Sequence, residues 1–77
     1  MFAKEQKQKW HQAQADEHFK KAAELQIKSN SIREEALKIE DPDERGARLG
    51  VAVEFQRMAE DRLKRGQQAL IMVAQYS

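Results

Sequence analysis

The chain has no cysteine, one proline, three glycines and only 6% aromatic residues across 77 positions. Without cysteine, disulfide staples and thiolate metal sites are excluded, and a reducing, cytoplasmic setting is the expectation. So little proline and glycine leaves few places where the chain can be divided, which favours one domain over 1–77. No charge sign dominates: 14 Lys and Arg stand against 13 Asp and Glu, so the net charge of +1 provides no global attraction to nucleic acid or an anionic membrane. Long apolar runs are missing too. The longest, Ala69 to Ala74, is far short of the roughly 20 residues that span a bilayer, and it lies at the wrong end for a signal peptide. A soluble, unprocessed chain with no membrane partner is expected.

What the chain does have is Ala, Glu, Lys, Gln and Arg, whose small or straight side chains lose little rotamer freedom in a helix. Between Lys4 and Glu40 there is no proline or glycine. A three-then-four spacing there forms a seam of His11, Ala15, His18, Ala22, Leu25, Ser29, Ile32, Ala36 and Ile39. Ser31 with Glu34 three residues later offers a capping box that would break this helix and give a three-helix bundle with a break near 29–31. The seam keeps its register through Ser29 and Ile32, which favours a continuous helix.

In IEDPDERGARLG, Ile39 to Gly50, Asp41 is a good N-cap and Pro42 suits the first helical position. Asp43 and Glu44 then place negative charge at a helix N-terminus. A turn at 40–43 and a second helix follow, with Arg45, Leu49, Ala52, Gln56, Ala59, Leu63, Gly66, Leu70 and Val73 as its seam. The expected fold is all-α: an antiparallel helical hairpin of two long helices, about 4–40 and 42–75, pairing into a four-helix bundle. Reversal near residue 42 sets Ala15 against Leu70, His18 against Gly66, Ala22 against Leu63 and Ser29 against Gln56. These layers place large residues against small ones, with Gly66 as space for His18 and Ser29 bonded to Gln56 in one polar layer.

Large apolar residues remain outside that seam. Val51, Phe55, Met58, Ala69, Met72 and Tyr76 form a second stripe, interrupted by Arg62 and Arg65, with Phe19 across from it. Each large side chain buried is worth about 1.5–3 kcal/mol, so the stripe calls for a second layer. Phe19, Val51, Phe55, Met58, Met72 and Tyr76 are the expected partner or dimer interface. A C2 homodimer is favoured over a helix of another protein. The function expected is a non-catalytic protein–protein interaction module: a small regulatory adaptor, chaperone or inhibitor.

His11 and His18 share the first seam, yet no carboxylate converges on them, so packed histidines are expected rather than metal ligands. No Ser-His-acid arrangement and no glycine-rich phosphate loop can be read. No catalytic residue, cofactor or small-molecule substrate is expected. Most charges fall in acid-first i to i+4 pairs, such as Asp16 with Lys20 and Asp61 with Arg65, as on a solvated helix surface. The hairpin also brings Lys20 and Lys21 level with Arg62, Lys64 and Arg65, a basic face for RNA or an acidic partner. The Lys- and Gln-rich segment around Trp10 has a composition that can contact phosphates and stack on bases.

Two long antiparallel helices, the acidic turn Asp41-Pro42-Asp43-Glu44 and small-against-large layers resemble the Rop-type plasmid RNA-binding hairpins. Those hairpins dimerise into four-helix bundles and contact RNA from a helix face. The resemblance covers the architecture and the turn, and carries over no individual contact residue. It implies, as the alternative function, an RNA-binding regulatory four-helix-bundle dimer. Small helical-hairpin chaperones and inhibitors share the same coarse layout.

Overall fold

A computed structural model describes residues 3–76; Met1, Phe2 and Ser77 of the expected 1–77 domain lie outside the described residues. Helix α1 spans Lys4–Ala36 and α2 spans Pro42–Gln75, and the two pack against each other as a hairpin 60 Å long. The first helix runs unbroken through Ser29 and Ser31. The three-helix alternative is therefore set aside: Ser29 is buried against α2, and a break there would expose the contact that it makes.

The hinge follows the local chemistry with one difference. Asp41, extended as a residue before proline must be, accepts a hydrogen bond from the Asp43 N–H at 3.3 Å, and α2 starts at Pro42. α1 ends at Ala36, four residues before the expected Glu40. Its last turn tightens, with the N–H groups of Lys38 and Ile39 donating to the carbonyls of Glu35 and Ala36. That satisfies carbonyls at the helix end and frees 39–41 to cross to α2. Arg45 then donates to the Ile39 carbonyl at 3.4 Å.

The core is a strip of small residues. Ala15, Ala22, Ser29 and Ala36 are buried at intervals of seven on α1; Ala52, Ala59 and Gly66 repeat the same interval on α2, with Ala69 beside them. Ser29 Oγ donates to the Ala52 carbonyl at 2.6 Å, and Gln8 Nε2 donates to the Val73 carbonyl at 3.4 Å. A serine side chain reaches the facing main chain directly only when the two backbones are close. The register between these two bonds sets Ala15 opposite Gly66 and Ala22 opposite Ala59.

This overturns the large-against-small layers. Ser29 meets Ala52 rather than Gln56, and His18 meets Arg62 rather than Gly66, each one turn from the expected partner. Leu63 and Leu70, assigned to the seam, are 43% and 39% exposed. Gln56 instead accepts from Arg33 Nη2 at 2.8 Å. The space at Gly66 serves Phe19, not His18: a Cβ there would lie 2.8 Å from Phe19 Cε1. Small residues on both sides let the helices approach along their whole length, and the large side chains are displaced to the flanks.

The glycines separate two effects. Gly46 and Gly50 have nothing within 4 Å of an added Cβ. Gly46→Ala and Gly50→Ala should each stabilise the hairpin by about 0.5–1 kcal/mol in urea unfolding, as an alanine does in an open helix position. Gly66→Ala should give no gain or a loss, because displacing the Phe19 ring consumes the propensity term. Ser29→Ala should lose about 1 kcal/mol with its hydrogen bond, and Ser29→Leu several times more by forcing the backbones apart.

Candidate functional site

Residues three and four apart on a helix share a side. On α2 this aligns Val51, Phe55, Met58, Arg62 and Arg65; on α1 it aligns His18, Lys21, Leu25 and Lys28. The hairpin register brings these two sides level, and an open groove of about 770 Å³ lies between them. Leu25 and Phe55, both half-buried, form its floor with Met58, which stays 51% exposed. Lys21, Lys28, Arg57, Arg62 and Arg65 line it with positive charge, against Glu24 and Asp61.

The cations are held in different ways. Lys28 Nζ sits 4.8 Å from the Phe55 ring centroid, a cation–π contact that keeps its charge over the apolar floor. Arg62 Nη1 lies 3.2 Å from His18 Nδ1 across the two helices, so a neutral imidazole accepting there ties the groove wall together. Arg65 pairs with Asp61 at 3.1 Å and Lys21 with Glu24 at 3.7 Å, each within its own helix and well exposed to solvent. Asp61 with Arg65 is thus an expected acid-first pair that forms. Such exposed pairs are worth little to stability and leave their charges open to a partner.

Of the expected interface, Phe55 and Met58 lie in the groove. Val51 is exposed one turn nearer the hinge, and Met72 is half-buried nearer the open end. Tyr76 stacks on His11 with centroids 5.5 Å apart and an interplanar angle of 10°. Phe19 lies on the other flank, against Gly66. Of the expected basic set, Lys21, Arg62 and Arg65 reach the groove, whereas Lys20 and Lys64 lie outside its lining. Lys28 and Arg57 join it unforeseen. Lys28 was readable, since it lies one heptad after Lys21.

A second cluster closes the open end of the hairpin. Trp10 meets His11 edge-on at 4.9 Å, His11 stacks on Tyr76, and Lys7 Nζ lies 5.7 Å from the Tyr76 ring. Both histidines are thus engaged with side chains from across the hairpin, His11 with Tyr76 at the end of α2 and His18 with Arg62. Among the described residues, no group of three or more His, Cys, Asp or Glu could hold a metal ion, and no helix is long and apolar enough to cross a membrane. No family model, curated protein or solved structure matches the chain.

Two arginines test the groove wall. Arg62→Ala should cost about 1 kcal/mol in urea unfolding, because it removes the cross-helix bond to His18. Arg65→Ala should change stability by less than about 0.5 kcal/mol, since its partner Asp61 is on its own helix and exposed.

Proposed function

We propose that the hairpin is a non-catalytic protein-interaction module whose groove takes an amphipathic helix of another protein, acidic along its flanks. The observation that supports this most directly is an apolar floor of Leu25, Phe55 and Met58 between two cationic walls. A helix in a groove presents an apolar stripe downward and its flanking residues to the rim. Acidic flanks would meet Lys21, Lys28, Arg57, Arg62 and Arg65, and methionine adapts its shape to the stripe.

RNA is the second reading, favoured by the same five cations. Two features weigh against it. Glu24 and Asp61 stand among the cations, each within ion-pair distance of one of them, and would oppose a phosphate backbone. The floor offers Phe55 beneath Lys28 rather than an open ring for a base.

Affinity purification with and without nuclease, comparing wild type with Met58→Glu, separates the readings. Under the proposal a protein partner survives nuclease, elutes more readily as salt rises, and is lost with Met58→Glu. Phe55→Ala should weaken its binding by about 1–2 kcal/mol, roughly tenfold. Capture that disappears with nuclease, or that Met58→Glu leaves unchanged, would count against the groove as a polypeptide site.

A further inference from the structure

The opposite flank of the hairpin has a different character. Helical spacing places Phe19, Ala23, Gln26 and Arg33 of α1 along it, with Val53, Gln56, Leu63 and Leu70 of α2. The bond from Arg33 to Gln56 and the Phe19 ring at Gly66 show that these two sides meet. Val53 and Leu63 are both 43% exposed. The charges that spacing assigns to this flank nearly cancel: Glu5, Asp16 and Glu60 against Lys9 and Arg33. The groove flank is lined by Lys21, Lys28, Arg57, Arg62 and Arg65 against Glu24 and Asp61, five cations to two acids.

We infer that this near-neutral apolar flank binds a second copy of the chain, giving a C2 four-helix bundle with one basic groove facing outward on each side. In a two-fold interface the same patch meets itself. Self-pairing of the groove flank would set two surfaces of the same net positive charge against each other. The other flank, whose charges nearly cancel, brings little net charge together, and would cover Leu63, Leu70 and Val53. The hairpin is 60 Å long and at least 13 Å across, so a flank offers on the order of 800 Å² per copy, about what each partner of a stable complex buries. This interface does not depend on what occupies the groove.

Val51 and Val53 provide a matched test, since they lie two residues apart on α2, are 40% and 43% exposed, and fall on opposite flanks. Sedimentation equilibrium at micromolar concentration should find a dimer for wild type and for Val51→Glu. Val53→Glu should weaken dimerisation at least about a hundredfold, by burying an unpaired charge. The dimer should also be nearly insensitive to salt. If Val53→Glu fails to fold, a spin label at Val53→Cys should be immobilised in the dimer and one at Val51→Cys mobile, each being the only thiol in its chain. A monomeric wild type, loss of the dimer with Val51→Glu, or equal mobility of the two labels would overturn the inference. A monomer that still captures a partner through the groove would overturn the dimer and leave the groove reading standing.

Discussion

The close approach of two backbones along a strip of alanine, serine and glycine is the constraint on which the rest of the structure depends. Ser29 Oγ at 2.6 Å from the Ala52 carbonyl marks how near they come. Nothing larger than serine is fully buried in the strip. An alanine methyl removes little apolar area from water, so this core gains close packing rather than the hydrophobic free energy that large side chains supply. The energetic consequence falls on the flanks, where Leu63, Leu70, Met58, Val51 and Val53 remain substantially exposed. The module and dimer proposed above would both draw on that unspent apolar surface.

The two flanks differ because of what accompanies those large residues. On one, Lys and Arg recur at heptad intervals beside Phe55 and Met58; on the other, uncharged Gln and Asn fill the same role. A hairpin has two grooves by construction. Giving one of them an excess of cations and the other nearly balanced charges makes them unequal for any charged partner. His18 with Arg62 on one flank, and Arg33 with Gln56 on the other, bridge the helices where side chains rather than the strip hold them.

Much of this could be read directly from the residues. The absence of proline and glycine through Lys4–Ala36, and the Asp41-Pro42-Asp43-Glu44 cap, led to two helices and their hinge. The phase of α2 could not be read in the same way. Ala59 and Gly66 recur every seven residues, but so do Leu63 and Leu70, and a periodic pattern states the spacing without stating which member of the pair faces inward. Burying the leucines satisfies the hydrophobic rule; burying the alanines satisfies close approach, and the hairpin takes the second. The groove inherited that ambiguity. Phe55 and Met58 are legible as a stripe beside Arg62 and Arg65, and Lys28 as one heptad after Lys21, whereas Arg57 enters only through the register that sets α1 beside α2.

The regular interval of the strip has a further mechanical result. Ala15, Ala22, Ser29 and Ala36 form an evenly spaced track, and Ala52, Ala59 and Gly66 form another. Sliding one track past the other by seven residues, about 10 Å, would lay small residues on small ones again. The track alone is therefore degenerate in register, much as a ruler laid on a ruler matches at every mark. The link of residues 37–41 is too short to permit such a slip, so the hinge acts as the end-stop that selects one alignment from several. Cut there, the same two helices would keep their affinity for each other and lose their address.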